Sequence, residues 1–297
     1  MTSARLLPYE ENMNTEDVRK LSPFARLAYW IRERESVRLK RMAGEAKPWT
    51  DDEILQQYRF CNVRRMDDAV SVWLWNNWYE PHFDHPSIVY AAAVARFINL
   101  PSSLDRITQL VFDSRGPQVD DIVALLRAVK RQGVTIFNGA YMVRGNDGQD
   151  KIASVFDYYL EHLLSDPPVI DGSTMQAAHE ALVCRYGFGS FMAGQVVADL
   201  RWAKDGYWSD YNRWAPVGPG SARGMNRVLG LPVKSGFHQD YFVERLRELI
   251  EQLRSVLPES ISSRLEAHDY QNCLCEFDKY ERALHSEGKP KSRYPGV

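Results

Sequence analysis

The segment of residues 181–230, ALVCRYGFGSFMAGQVVADLRWAKDGYWSDYNRWAPVGPGSARGMNRVLG, constrains the fold more than any other part of the sequence. It predicts a helix that ends near Tyr186, a tight glycine turn, and a second helix that begins at Ser190. Glycine accommodates the positive φ with which a chain reverses between helices. The first N–H groups of the second helix then point outward, and together with the helix dipole they favour the binding of a phosphate. We therefore expect Gly187, Gly189 and Ser190 to contact a DNA backbone, although a plain turn between two helices, with a capping glycine, explains the same residues equally well.

This pattern resembles the helix-hairpin-helix of base-excision DNA glycosylases. Asp210 lies about as far beyond the turn as the catalytic aspartate of those enzymes does. The resemblance implies an all-α, two-lobed helical fold of the helix-hairpin-helix DNA glycosylase type, in which the hairpin and the aspartate face a flipped nucleotide.

The composition indicates an ordinary globular protein. A formal net charge of −2 argues against a polycation that coats DNA, so nucleic-acid contacts must come from local basic surface. No apolar stretch is long enough to span a bilayer, and the amino-terminal residues lack the apolar core of a signal peptide. We therefore expect a cytoplasmic protein with no membrane partner. The four cysteines, Cys61, Cys184, Cys273 and Cys275, form no C-x-x-C pair, and we predict no metal site.

Periodic apolar residues predict helices along most of the chain, and no repeat or linker divides it. We therefore expect a single helical domain of residues 1–297 that consists of two interleaved lobes with a cleft between them. The termini, residues 1–22 and 288–297, are expected to be loose. The predicted helices are residues 23–46, 51–60, 65–78, 87–99, 103–112, 120–132, 151–164, 174–186, 190–202, 240–257 and 260–285.

The first long helix carries a strongly basic face. Ser22 and Pro23 provide its expected N-cap and first residue, and Arg34 and Arg38 lie on its basic face. A solvated face is the commoner meaning of such a run, and a phosphate-contact surface is the functional alternative.

The segment VGPGSARG, residues 217–224, predicts a rigid Gly/Pro loop in which Ser221 and Arg223 contact a phosphate. Pro219 lacks a backbone N–H, so the segment is no Walker loop.

The last predicted helix carries polar residues at helical spacing on one face: Asp269, Asn272, Glu276, and Lys279 or Tyr280. These residues form either part of a site or ordinary surface pairs.

Six blocks of the sequence are similar to a phage family, the alpha-glutamyl/putrescinyl thymine pyrophosphorylases, also described as amino acid:DNA transferases. The blocks are WIRERESVRLKRMAG, PWTDDEILQQYRFCNVRRMDD, FNGAY, YGFGSFMAGQVVADL, GPGSARG and NCLCEFDKYERA, and they keep their order from about residue 30 to residue 282. The resemblance implies a transferase that acts in the host-cell cytoplasm on DNA carrying pyrophosphorylated 5-hydroxymethyluracil, which a separate upstream DNA kinase makes. The amine of an amino acid or a polyamine would replace the pyrophosphate on the exocyclic methylene.

This chemistry needs a carboxylate that takes a proton from the incoming ammonium. Asp210 is the first choice because of its place after the hairpin, and Asp199 and Glu276 are its rivals. Arg, Lys or a metal ion would stabilise the departing pyrophosphate; Mg²⁺ suits this chemistry, though no motif requires it. The cations from family-like blocks are Arg65, Arg223 and Lys279. The residues expected to contact the uracil edge are Asn138, Tyr141 and Gln195, with an aromatic residue of the 73–78 region stacking on the base.

Two alternatives share the hairpin. A DNA glycosylase would leave an abasic site, whereas a non-catalytic DNA-binding module would leave the base unchanged. The polar stripe that contains Glu276 argues against the latter, since phosphate binding gives no reason to place a carboxylate there. The sequence does not distinguish among glycine, glutamate and putrescine as the donor.

Overall fold

The computed structural model describes residues 13–139, 150–170, 173–203 and 208–294. These residues form helices and connecting turns, with no β-sheet among them, which confirms the predicted all-α class. The chain divides into two compact units, one of Met1–Asp68 with Asn212–Val297 and one of Ala69–Tyr211. No helix in the described ranges is both long and apolar enough to cross a membrane.

The helices of the first unit lie within residues 13–68 and 212–294, and those of the second lie within residues 69–211. A 3-10 turn lies at Arg65–Asp67, and π-helical turns lie at Trp75–Tyr79 and Ser154–Tyr159. In chain order the helices are α1 (Thr15–Arg19), α2 (Pro23–Met42), α3 (Glu53–Gln57), α4 (Ala69–Leu74), α5 (Ile88–Ile98), α6 (Pro101–Val111), α7 (Val119–Arg131), α8 (Lys151–Ala153), α9 (His162–Ser165), α10 (Met175–Val183), α11 (Ser190–Ala203), α12 (Pro219–Leu229), α13 (Gln239–Val256), α14 (Glu259–Ser262) and α15 (Ala267–Leu284).

Helices α2 and α15 are central to the core of the first unit. The Ser22 hydroxyl accepts a hydrogen bond from the N–H of Ala25, as expected of an N-cap residue, and α2 begins at the following proline. Trp30 of α2 and Phe277 of α15 are fully buried in the same apolar cluster. The burial of such side chains provides the main drive to pack these helices.

Helices α12 and α15 approach each other closely because glycines face α15. A Cβ at Gly224 would lie 2.1 Å from the carbonyl oxygen of Leu274, and one at Gly220 would lie 2.3 Å from Cys275 Sγ. The prediction of a Gly/Pro loop at residues 217–224 is therefore wrong from Pro219 onward. Pro219 is the first residue of α12, a position that requires no N–H, and the glycines serve helix packing.

Other sequence-based boundaries also differ from the structure. The helix predicted at residues 51–60 is shorter: Asp52 caps α3, since its carboxylate accepts the N–H groups of the first turn, and α3 ends at Gln57. The predicted helices at residues 65–78 and 260–285 are each interrupted. The C-terminal segment is not loose as far as Tyr294, because residues 292–294 pair with the chain at the end of α3.

The second unit packs around α5. Residues 91–95 of this helix are fully buried, and α5 contacts α6 and α11. Helix α10 packs against α11, so the predicted helices on either side of the glycine turn are present.

Candidate functional site

In the first unit, α15 presents a carboxylate and an ammonium group beside an exposed loop. Glu276 is almost completely buried and accepts hydrogen bonds from the backbone N–H of Cys61, at 3.2 Å, and from Lys279 Nζ. Burial opposes the charge of Lys279, but the charge and hydrogen bond of Glu276, together with the nearby Cys275 and Cys61, raise the pKa of Lys279. The Lys279 side chain remains 39% exposed, so a positive charge held by a buried carboxylate faces solvent.

The turn before α4 contacts the same helix through the carboxylate of Asp269. Asp269 is almost completely buried and accepts hydrogen bonds from the backbone N–H groups of Arg65, at 2.8 Å, and of Glu266, at 3.0 Å. Burial raises the pKa of Asp269 to about 6, and these two N–H groups oppose the shift. Burial also raises the pKa of Asp68, which has Arg65 and Glu276 in its electrostatic surroundings. Arg65 and Glu276 thus both lie close enough to Asp68 to influence its pKa, and the convergence of Arg65, Arg223 and Lys279 on a pyrophosphate stays a prediction.

Asp68 was not predicted as part of a site, and for Asp269 the sequence left open a site residue or an ordinary surface pair. The available signal was the RRMDD block for Asp68 and the helical register with Glu276 for Asp269. Their perturbed pKa values arise from burial, which depends on how the turn packs and cannot be calculated from spacing.

On α12, one of the two predicted phosphate ligands remains accessible. The Arg223 side chain is 38% exposed and its Nε lies 2.8 Å from an oxygen of the buried Asp278. Ser221 is fully buried; its hydroxyl accepts the N–H of Gly218 at 3.0 Å and the side-chain amide of Gln271 at 3.1 Å. The prediction that Ser221 contacts a phosphate is contradicted, because its hydroxyl closes the start of α12.

For Arg34 and Arg38 of α2, the predicted contact with phosphate is also contradicted. Arg34 is buried and donates to the carbonyl oxygen of Phe60, at 3.0 Å, and to Asn62 Oδ1, at 2.5 Å. The Arg38 side chain is only 11% exposed and pairs with Glu35. These arginines hold the loop that follows α3, so their charges are used inside the protein.

In the second unit, Asp199 belongs to a buried ion pair. Its oxygens receive two hydrogen bonds from Arg96, each of 2.5 Å, and one from the Tyr79 hydroxyl, at 2.6 Å. Asp199 has no exposed surface, so the prediction that it takes a proton from a substrate amine is contradicted. Gln195, one turn earlier on α11, is also buried.

The turn between α10 and α11 depends on one of its two glycines. Gly187 has a φ of +81°, and a Cβ there would lie 2.2 Å from Tyr159. Gly189 has neither a positive φ nor any atom within 4 Å of an added Cβ. His179 Nε2 lies 3.0 Å from the carbonyl oxygen of Ser190 and thereby ties the two helices together. The contact of Gly187, Gly189 and Ser190 with DNA stays a prediction.

Asp210 lies at the start of α10. Its two carboxylate oxygens accept the backbone N–H groups of Met175, at 2.7 Å, and of Gln176, at 3.1 Å. The residue is partly exposed and thus accessible to a ligand while it caps the helix.

The remaining predicted contacts lie near the gap in the described residues. The backbone N–H of Asn138 donates to the carbonyl oxygen of Ile98 at 2.9 Å. Tyr141 lies outside the described residues. Within the described ranges, no group of three or more His, Cys, Asp or Glu residues could hold a metal ion. A requirement for Mg²⁺ is untested and stays a prediction.

Comparison with known proteins gives one family and one relative. The sequence model of a family described as "5-hmdU DNA kinase, helical domain" matches residues 22–290. The 5-hmdU DNA kinase of Bacillus phage SP10 is 24% identical over 220 residues, which are 66% of this chain and 34% of that protein. The chain thus spans about a third of the length of this relative. No solved structure matches the chain.

Proposed function

This chain belongs to the family described as the helical domain of 5-hmdU DNA kinase, and on that basis we propose that it acts in the hypermodification of thymine in phage DNA. Its place of action would be the host-cell cytoplasm. Within this modification, we propose that the chain catalyses the step in which the amine of an amino acid or a polyamine replaces the pyrophosphate of pyrophosphorylated 5-hydroxymethyluracil.

The observation that carries this proposal is the Lys279–Glu276 pair of α15. A departing pyrophosphate spreads negative charge over its oxygens, and a pre-oriented cation stabilises that charge without reorganising. Lys279 is such a cation, since a buried carboxylate fixes its position while part of its side chain stays exposed. Arg223, which the buried Asp278 orients, and Arg65 supply two further positive charges in the same unit.

The proposed step balances in charge and atoms. The amine nitrogen forms a bond with the exocyclic methylene carbon, and the bond from that carbon to the pyrophosphate oxygen breaks with its electron pair. A carboxylate takes the proton that the amine loses. In the first unit we assign this proton to Glu276, whose carboxylate lies beside Lys279. The role of Asp210, which belongs to the second unit, stays a prediction.

A second candidate is the pyrophosphorylating step itself, which the name of the phage relative favours. In that case the chain would present 5-hydroxymethyluracil to a nucleotide-binding domain. The sequence contains no Gly-Lys-Ser or Gly-Lys-Thr, the end of the nucleotide-binding P-loop, and the matched segment is only 34% of the relative.

Mass spectrometry of nucleosides separates the candidates. One reaction contains DNA with 5-hydroxymethyluracil and ATP; the other contains DNA with pyrophosphorylated 5-hydroxymethyluracil and a pool of amino acids and putrescine. Amine transfer predicts a new nucleoside only in the second reaction. A phosphorylated nucleoside in the first reaction would support the kinase step, and an abasic site in either would support a glycosylase.

Lys279→Gln, compared with Lys234→Gln, links the activity to the site. Each variant loses one positive charge, but Lys234 is exposed and lies on a different segment from Glu276 and Lys279. We expect a loss of at least tenfold in adduct formation for Lys279→Gln alone, since removal of one electrostatic stabiliser typically costs about 10²–10³ in rate. Equal activity in the two variants would exclude Lys279.

A further inference from the structure

Three separate segments of the first unit meet at its surface. The C-terminal segment forms an antiparallel bridge between Arg293 and Tyr58. The N–H of Arg59 donates to the carbonyl oxygen of Ser292 at 3.0 Å, and the N–H of Tyr294 donates to that of Gln57 at 3.1 Å. This pairing brings the C-terminal segment to the end of α3, next to the loop that follows α2.

Aromatic rings at this junction carry positive side chains on their faces. The rings of Trp49 and Tyr294 meet edge to face with centroids 5.5 Å apart. The Arg41 guanidinium carbon lies 5.4 Å from the Trp49 ring centroid and 5.3 Å from that of Tyr294, and Lys47 Nζ lies at 5.4 Å and 5.5 Å. Arg59 lies 6.0 Å from the Tyr294 ring. The positions of these cations are thus fixed by cation–π contacts.

Arg293 adds a fourth cation, 5.4 Å from the ring of Tyr58. We call Arg41, Lys47, Arg59 and Arg293, with the rings of Trp49, Tyr58 and Tyr294, the aromatic–cation patch. All four cationic residues of the patch are exposed.

Three of the four cations of the patch have no carboxylate partner among the described residues. Among the described residues, no carboxylate oxygen lies within 4 Å of the side-chain nitrogens of Arg41, Arg59 or Arg293. On α2 the contrast is direct, since Arg38 pairs with Glu35 whereas Arg41, one turn later, contacts aromatic rings and has no carboxylate partner in the described part of the chain. Such a concentration of positive charge in a chain of net charge −2 is suited to a negatively charged partner.

We propose that the aromatic–cation patch binds the phosphate backbone of the DNA substrate. The proposal rests on the function proposed above, which makes DNA the substrate. The ring faces already carry cations, so they are not free to stack on bases. The guanidinium carbons of Arg41, Arg59 and Arg293 lie 5.3–6.0 Å from the ring centroids, and the N–H groups of a guanidinium bind phosphate oxygens. Binding is therefore through the backbone, is independent of base sequence, and weakens steeply with salt.

The test is fluorescence anisotropy of a labelled DNA duplex in a salt series from 50 to 200 mM. The variant is Arg59→Gln with Arg293→Gln, and the control is Arg106→Gln with Lys234→Gln, which removes two exposed charges outside the patch. For each lost phosphate contact the log–log salt slope decreases by about 0.9, and affinity at 0.1 M salt decreases by about eightfold. We expect both effects in the patch variant and neither in the control. Equal binding by the two would overturn the proposal.

A second variant separates charge from folding. Arg59→Lys with Arg293→Lys keeps both charges and should retain the salt slope of the unchanged protein, while a merely structural role for these arginines would predict the same loss as with glutamine. If the unchanged protein binds DNA through the patch but forms no amine adduct, the patch is established and the proposed function fails. If the unchanged protein does not bind DNA at all, both fail.

Discussion

Gly224→Ala tests whether the glycines of residues 217–224 serve packing or phosphate binding. The added Cβ would lie 2.1 Å from the Leu274 carbonyl oxygen and 2.7 Å from its carbon, whereas ordinary contacts begin near 3.4 Å. Because the obstructing atoms belong to the backbone of α15, no side-chain rotation relieves the clash. Helices α12 and α15 must therefore separate by about 1 Å.

The expected change in stability combines two opposing effects. Overpacking a core typically costs about 1–3 kcal/mol, and a clash with backbone belongs at the upper end or beyond it. Replacing glycine by alanine inside a helix returns about 1 kcal/mol. We expect a net loss of about 2 kcal/mol in the free energy of unfolding. For a unit of this size, that corresponds to a decrease in Tm of about 4–8 °C.

The assay is thermal unfolding followed by circular dichroism, with Gly236→Ala as the matched control. Gly236 lies in the same unit, has no positive φ, and has no atom within 4 Å of an added Cβ. Gly220→Ala should cost less than Gly224→Ala, because its main obstacle is the movable Cys275 Sγ. A Gly224→Ala protein with unchanged Tm and lost activity would refute the packing interpretation and restore a phosphate-binding role.

Three further predictions follow from buried charged groups. Asp199→Asn should lower the free energy of unfolding by about 3 kcal/mol, because it leaves Arg96 buried without its carboxylate; unchanged denaturant midpoints would contradict this. Burial raises the pKa of Asp269 from 3.8 to about 6, so the folded state binds more protons than the unfolded state between these pH values. The contribution of Asp269 to the free energy of unfolding is fully present below pH 4, and about 3 kcal/mol of it is lost as the pH rises through 6. Asp269→Asn should not show this loss when denaturation is measured from pH 4 to 7. Burial lowers the pKa of His179, so the free energy of unfolding should fall as the pH drops below 6.5, the pKa of histidine in the unfolded chain. His179→Ala, which removes the contact with Ser190, should abolish this loss of stability at acid pH. Hydrogen exchange of the α11 amides measures the loss.

Local signals predicted the helices well where a cap and an apolar face agree. Ser22 with Pro23 gave the start of α2 correctly, because the cap bond and the fixed φ of proline are local. The same rule applied to Gly218 and Pro219 would have predicted α12. The glycines at 220 and 224 suggested a loop instead, since the helix that they face, α15, lies about 50 residues further along the chain and is not visible in local sequence.

Sequence spacing predicts which residues share a helix face but not which of them are buried. Lys279 and Glu276 lie side by side because their spacing on one helix is a local property. Arg34 and Asp199 were misassigned because their partners are distant in sequence: Phe60 and Asn62 for the first, and Arg96 for the second. Burial of a charged side chain depends on such partners, and the sequence pattern reports only that the charge is present.

The most direct test of the central claim is the stoichiometry of pyrophosphate release. DNA with labelled pyrophosphate on 5-hydroxymethyluracil is incubated with the protein, with and without amines, and the released label is compared with the adduct formed. Amine transfer predicts release only when an amine is present, with one pyrophosphate for each adduct and loss of both in Lys279→Gln. Pyrophosphate retained on the DNA at every amine tested would contradict the account.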